Sequence, residues 1–283
     1  MASRDENSLH GLKLNIDFMK GENLLSPLFS MYKIEINRNE IYFEDESYCD
    51  YNFDRNIIFK GHGNTLFIGS NSRIHANTKI TFNGNNALAF LAGNNKSVNI
   101  NLHLHQNNLF YLGHNNTFNG TLTVIAAESK NIFIGNHCLF SFGIFIRTSD
   151  AHLIYDLEGE ERINFSKDVI IGNHVWIAQQ ALILKGTIIK NGCIIGARSV
   201  LCKETEQSSI YAGSPARLIK SNIFWKKDSN HNFTDTDTAK YIKARKFQLG
   251  DEFNIPKILQ QNTNKLISSY EKMCLLTKLS ADM

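Results

Sequence analysis

The chain has 283 residues, of which 42% are hydrophobic and 20% charged, with a net charge of +3. That balance excludes a mainly disordered chain, and it permits an anionic partner without demanding one. With no apolar run of the roughly 18 residues needed to cross a bilayer and no basic-hydrophobic leader, the expectation is a cytoplasmic protein with at most peripheral membrane association.

Residues 1–31 are read as an N-terminal extension with no assigned role, part of it resembling vector-derived sequence. From Tyr32 the pattern clears: Tyr32, Ile34 and Ile36, then Ile41 and Phe43, alternate with polar residues around the turn Asn37-Arg38-Asn39-Glu40. Two strands are predicted here, as a β-hairpin-like cap over residues 32–60 that covers the open N-terminal end of a solenoid.

From Asn64 onward the chain repeats itself. The units NTLFIGSN at Asn64, ALAFLAGN at Ala87, NLFYLGHN at Asn108, NIFIGNHC at Asn131 and DVIIGNHV at Asp168 align, with Ile68, Leu91, Leu112, Ile134 and Ile171 as their equivalent aliphatic positions. The intervals are 23, 21, 22 and 37 residues. Asparagines crowd the connections, as at Asn83, Asn85, Asn86, Asn94 and Asn95, where a left-handed backbone is better tolerated by Asn than by other side chains.

Between Val169 and Cys202 the repeat becomes strict: Ile171, Ile177, Ile183, Ile189, Ile195 and Leu201 recur every sixth residue, and a second phase of small residues runs Val175, Ala181, Thr187, Cys193, Ser199, Thr205. A period of six fits neither a helix nor a simple strand, but it fits a three-sided parallel β-helix with one aliphatic plug per side. Gly172, Ala178 and Gly196 come directly after their plugs and are read as the residues that let the chain bend at a corner. A three-sided coil takes 18 residues, so the 37-residue interval carries about 19 that the solenoid does not need, assigned to an insertion at 152–168. Insertions of that length in a packed repeat are usually functional. The winding ends in SSIYAGSPARLIK at Gly213 and Pro215, and helices are predicted over Thr238–Leu249 and Pro256–Leu279. The resulting division is the solenoid over 61–220 and a helical C-terminal extension over 221–283.

Five scattered cysteines, Cys49, Cys138, Cys193, Cys202 and Cys274, form no CxxC pair and are read as small core residues in a reducing compartment. Among ten histidines, His137 and His174 share one turn position of two repeats and read as structural; His103 and His105 alternate with leucines and face solvent. A metal site is not assigned; His114, His137 and His174 are the only set that could form one, and all lie in turns. His152 is different, since it opens the insertion two residues after Asp150, a carboxylate placed to orient an imidazole. Trp176 is read as an outward indole near a corner, there either for a ligand or for a neighbouring subunit.

VIIGNHVWIAQQALILKGTIIKNGCIIGARSVLCKE, preceded by SDAHLIYDLEGEERIN and followed by SSIYAGSPARLIK, resembles the left-handed β-helix hexapeptide-repeat acetyltransferases, and within them the capsular polysialic acid O-acetyltransferases. The specific motifs span about residues 134–220, and the chain departs from the usual pattern at Ala178 and Ser214, both small. The resemblance implies an all-β fold, a left-handed parallel β-helix, and a homotrimer with active sites between subunits. It also implies acetyl-CoA as donor with no metal, and sialic acid in a capsular polysaccharide as acceptor, with no role for nucleic acid. Residue by residue, it implies His152 as general base and Trp176 at the reacting thioester. Trp176, Ala178, Gly196, Ala197, Arg198, Lys203, Arg217 and Lys220 would hold the donor. Asp150, Arg162 and Lys167 are expected at the acceptor. A neutral sugar is the alternative acceptor, and a non-catalytic polysaccharide-binding solenoid the alternative class.

Overall fold

The computed structural model describes residues 16–19, 31–50, 55–231, 234 and 268–281, of which 16–19, 49–50 and 280–281 are described in backbone only. The chain winds as a parallel β-helix with three faces. The first is a nine-stranded sheet that includes Thr65–Ile68, Leu88–Leu91, Leu109–Leu112, Ile132–Ile134, Val169–Ile171 and Ile188–Ile189. The second has seven strands: Ile57–Phe59, Lys79–Phe82, Ile100–Leu104, Leu122–Ala126, Ile144–Arg147, Leu182–Ile183 and Val200–Leu201. The third runs from Thr117–Phe118 through Leu139–Phe140, Trp176–Ile177 and Ile194–Ile195 to Ile210–Gly213 and Ala216–Lys220.

The hexapeptide arithmetic holds in space. Ile171, Ile177, Ile183, Ile189, Ile195 and Leu201 all point inward with no exposure, and the second phase from Val175 to Thr205 is buried beside them. Registers such as Ile170↔Ile188, Trp176↔Ile194 and Leu182↔Val200 give 18-residue coils. The units aligned by sequence stack on the first face as Ile68↔Leu91↔Leu112↔Ile134↔Ile171.

One expectation is corrected. Gly172, Ala178 and Gly196 are not where the backbone turns left-handed; that falls two residues further along, at His174, Gln180, Gly186, Gly192 and Arg198, with φ of 54, 58, 77, 73 and 55°. Gly172 is small for another reason: a Cβ there would lie 2.3 Å from Asn191 Oδ1, the atom that accepts from the Asn173 amide at 2.8 Å. The same bond links Asn136 N–H to Asn173 and His114 N–H to Asn136, so an asparagine ladder closes this corner coil after coil. In the wider N-terminal coils asparagine takes the left-handed positions, at Asn71, Asn86, Asn94, Asn107 and Asn115.

Both ends are closed. Met31–Ile36 and Asn39–Phe43 form an antiparallel hairpin across Asn37-Arg38, and its second strand joins the first face beside Thr65–Ile68. At the other end Tyr211 occupies the last plug position, its hydroxyl accepting from Glu206 N–H, and the chain reverses at Ser214-Pro215 into Ala216–Lys220.

Helix α1, Ser269–Ala281, packs across the outside of the first face. It covers a ladder that sequence reading left unexplained, Tyr42–Phe67–Phe90–Tyr111–Phe133, with Phe67 and Phe90 stacked at 4.4 Å. Met273 and Leu276 are fully buried there, and Ser269 Oγ lies 2.8 Å from Thr65 Oγ1. The helix predicted from Pro256 is therefore observed from Ser269; the stretches 238–249 and 256–267 lie outside the described residues. No helix among the described residues is long and apolar enough to cross a membrane. Cys138, Cys193 and Cys274 are buried as expected, whereas Cys202 is exposed, because it falls at a corner outside the prism.

Candidate active site

The insertion leaves the second face after Arg147 and returns at Val169. Its centre is a small antiparallel arm, with Tyr155 bridged to Arg162 and Ile163 N–H bonded to Ile154 O at 2.9 Å. Asn164, buried at its base, holds it in place: its Nδ2 donates to His152 O at 2.7 Å and to Asp150 Oδ2 at 3.1 Å, while its Oδ1 accepts from Ile154 N–H. The arm is exposed and of mixed character, with Leu153 57%, Tyr155 54%, Leu157 97% and Ile163 62% accessible beside the exposed carboxylates Asp156, Glu158, Glu160 and Glu161.

His152 sits where this arm begins, at the edge of a cavity of about 350 Å³. The cavity is lined also by His105, Ile125, Glu128, Arg147 and Arg162. The imidazole is exposed and has no hydrogen-bond partner among the described residues. Immediately before it, Ala151 takes φ of 71°, a left-handed conformation strained for a residue with a Cβ, which sets the angle at which His152 leaves the coil.

The expected Asp150 partnership takes a different form. Asp150 forms an ion pair with Lys185 and accepts from Asn164, and these contacts, the Lys185 bond foremost, hold its carboxyl below the usual range. It thus reaches His152 through Asn164 and the backbone carbonyl, not through the ring. Arg162 is likewise committed, with two bonds to Glu128 at 2.6 and 2.8 Å and its guanidinium over the Phe165 ring at 5.1 Å. Those bonds, with Ser166 adding another, lower Glu128 to about 2. Lys167 is exposed at the return of the insertion, its methylenes beside Gly186.

Trp176 is on the third face, so one chain does not bring it to His152. Its indole N–H donates to Ser141 Oγ at 3.3 Å, and Trp225 of the same chain lies tilted against it at 6.0 Å. Trp225 also stacks on His174 at 4.1 Å; its carbonyl accepts from His174 Nε2 at 2.9 Å, and its own indole N–H donates to His174 O. His174 is structural in this sense, and burial lowers its pKa. Ala178, Gly196, Ala197 and Arg198 share the corner after Trp176, where a Cβ on Gly196 would meet Ala212 Cβ at 2.8 Å; Arg217 pairs with Ala212 at the same edge. Lys203 stands apart, over the Tyr211 ring at 5.7 Å, and exposed Lys220 pairs with Ile210 at the opposite end of that strand.

Sequence reading left Glu128, Asn164 and Trp225 out of the site and took His105 only as solvent-facing. Of these, only Trp225 carried a visible signal, as the second of two tryptophans; Glu128 and His105 meet His152 or its arm through coil stacking, at separations no local motif records, and Asn164 meets them across the fold of the insertion itself.

The bacterial transferase hexapeptide model (six repeats) matches residues 168–203. The chain belongs to the hexapeptide-repeat acetyltransferases. It is 39% identical over 174 residues to a polysialic acid O-acetyltransferase of Neisseria meningitidis, covering 61% of this chain and 80% of that one. It is 29% identical over 113 residues to the polysialic acid O-acetyltransferase of Escherichia coli O1:K1 / APEC, covering 40% of this chain and 37% of that one. Among solved structures, the polysialic acid O-acetyltransferase OatWY superposes with a TM-score of 0.50 at 33% identity, over 65% of this chain and 91% of that one. The polySia specific acetyltransferase NeuO superposes with 0.58 at 27% identity, over 66% and 87%.

Proposed function

We propose that the protein transfers an acetyl group from acetyl-CoA to a hydroxyl of sialic acid in a capsular polysaccharide, with His152 as general base. The observation that carries this reading is the exposed, unbonded His152 ring at the edge of a cavity, in a chain related to polysialic acid O-acetyltransferases. A neutral imidazole carries one nitrogen with a free lone pair, so His152 can take the proton of the sugar hydroxyl as that oxygen attacks the thioester carbonyl. The tetrahedral oxyanion needs a donor, for which the Trp176 indole N–H would have to leave Ser141. Collapse expels coenzyme A as a thiol with a pKa near about 8.5, and the proton held on the imidazole goes to it.

The small column Ala178–Gly196–Ala197 suits the close approach of a pantetheine arm, and Arg198, Arg217, Lys203 and Lys220 supply cations for the phosphates. Since Trp176 and His152 lie on different faces, a complete site takes residues from two copies, and the exposed side chains of Leu153, Ile154, Tyr155, Leu157 and Ile163 on the arm offer apolar surface that a homotrimer would cover.

His152→Ala is expected to keep its oligomeric state and coenzyme A affinity but lose at least about a hundredfold in turnover; near-normal turnover sinks the assignment. Trp176→Phe should lower turnover more than donor binding. Light scattering should give three chains, and a fully active monomer contradicts a shared site. An acceptor KM that ignores both salt and the pair Arg162→Gln, Lys167→Gln moves the acceptor from an anionic polymer to a neutral sugar.

A further inference from the structure

The residues that line the cavity continue beyond it. On the outside of the second face, register stacks Ile58, Thr81, His103, Ile125 and Arg147 in one column, and Arg147 and Ile125 are walls of the His152 cavity. A parallel column lies just past the end of each strand: the amides of Lys60, Asn83 and His105 bond the carbonyls of Phe82, Leu104 and Ala126 on the next coil, and His105 is again a cavity wall. Lys79 begins the strand beside them, exposed as Lys60 is. Lys79 pairs with Asn101, two residues before His103, and Lys60 and His105 stand just past the strand ends, so the four side chains lie along one face; burial first, then the charges of His105, Lys79 and Lys60, lower the His103 pKa.

The charge around this cluster has one sign. From Arg55 to Ala127 the sequence contains no Asp or Glu, while it contains Arg55, Lys60, Arg73, Lys79 and Lys96. Near the cavity Glu128 is engaged by Arg162 and Asp150 by Lys185, and the exposed carboxylates Asp156, Glu158, Glu160 and Glu161 belong to the insertion arm and not to the second face. At about 4.8 Å per coil, Lys60 stands two coil steps, on the order of 10 Å, before the first cavity wall at His105 and four steps, on the order of 19 Å, from Arg147, enough for more than one sugar unit to lie along the face at once.

We propose that the outer surface of the second face, through Lys60, Lys79, His103 and His105, is an extended track that binds an anionic polysaccharide acceptor and feeds one of its units to His152. This rests on the acetyl-transfer reading for the catalytic end, and adds to it a second contact region on the N-terminal coils. A short acceptor fills only the cavity; a long one also gains the track, so the enzyme favours polymer over oligomer. The interaction is mainly electrostatic, with carboxylates of the polymer facing exposed cations, and weakens as salt shortens the screening length.

The test uses the full chain and two probes, sialic acid dimer and long polysialate, at saturating acetyl-CoA. Lys60→Gln with Lys79→Gln should raise KM for the polymer about fivefold more than KM for the dimer. It should also flatten the salt dependence of polymer KM and weaken polymer binding, measured directly by calorimetry without donor, by a similar factor. Lys96→Gln, in the same acid-free stretch but bridged to Thr117 on the third face, should leave the polymer-to-dimer ratio as in wild type. Equal KM changes for dimer and polymer, an unchanged ratio, or an altered oligomeric state in the double variant would overturn the track; the last would make this face an interface between copies. Failure of the catalytic reading looks different: wild type would bind polysialate in a lysine-dependent way yet release no coenzyme A with either probe. If wild type does not bind polysialate at all, the track is overturned for this ligand.

Discussion

The solenoid contains two kinds of coil, and their difference explains where chemistry could arise. Between Val169 and Leu201 each coil takes 18 residues, with strands of two or three residues, one aliphatic plug per side and left-handed residues at fixed intervals of six. Between Thr65 and Ile134 the first face repeats every 21 to 23 residues. Its strands reach three or four residues, and in these coils both sides of the sheet are buried, the outer one beneath α1. The short coils are held by the regular aliphatic stack and by a few polar links between coils, such as Asn173 N–H to Asn191 and Thr187 Oγ1 to Leu201 O. The long ones depend on aromatic stacking, buried asparagines and a helix from elsewhere in the chain. The insertion with His152 occurs at the boundary, where the spacing is 37 residues, so the extra chain leaves the solenoid where the coil length changes and disturbs neither stack.

That contrast can be broken most severely in the long coils. Phe90→Ala removes a fully buried ring stacked on both Phe67 and Tyr111 and undercuts the helix, and should destabilise by about 3–5 kcal/mol in urea unfolding. Ile183→Val in the short coils removes one methyl and should cost about 0.5–1.5 kcal/mol. If the two losses were equal, the helix-covered ladder would not be an additional source of stability.

Next comes the polar cross-linking between coils. Asn64 donates to Asn39 Oδ1 and Gly84 O and accepts from Ala87 N–H, all within 3.0 Å. Asn64→Ala should therefore cost about 2–3 kcal/mol, because buried groups lose their partners. Gly172→Ala, which forces a Cβ against Asn191, is expected to cost about 1–3 kcal/mol. Gly186→Ala meets only the flexible Lys167 methylenes, so its penalty is the left-handed backbone alone, about 1 kcal/mol. Thermal melts of this pair separate contact between coils from backbone conformation.

At the boundary itself, Ala151→Gly should stabilise slightly, by up to about 1 kcal/mol, by relieving the positive φ. It should lower turnover if the strained backbone aims His152. The smallest effect concerns Glu128, whose folded pKa of about 2 lies below the ordinary carboxylate value. A depressed carboxylate adds stability above its unfolded pKa of about 4.3, and loses it as pH falls toward 2. The difference between wild type and Glu128→Gln in urea midpoint should be constant above about pH 5 and fade below it. A difference that grew on acidification would mean the Glu128–Arg162 pair does not tie the insertion down.

Sequence by itself determined the winding. Ile171 through Leu201 could be placed inside from spacing alone, because a period of six leaves one inward aliphatic per side and the stacked backbone bonds result from it. It also located the insertion, since a fixed coil length makes surplus chain countable, and it singled out His152 as the titratable residue at its start. Tertiary structure alone decided the pairings that cross coils: Asp150 with Lys185, Glu128 with Arg162, Trp225 over His174 and Trp176. It alone decided that α1 covers Phe67, Phe90 and Tyr111, which in the sequence are merely aromatics in strands. The physical reason is that a solenoid converts sequence distance into stacking height. A repeat reports which residues share a column, whereas side chains that meet across columns, or from an element outside the repeat, do so at separations set by the winding and not by any local period.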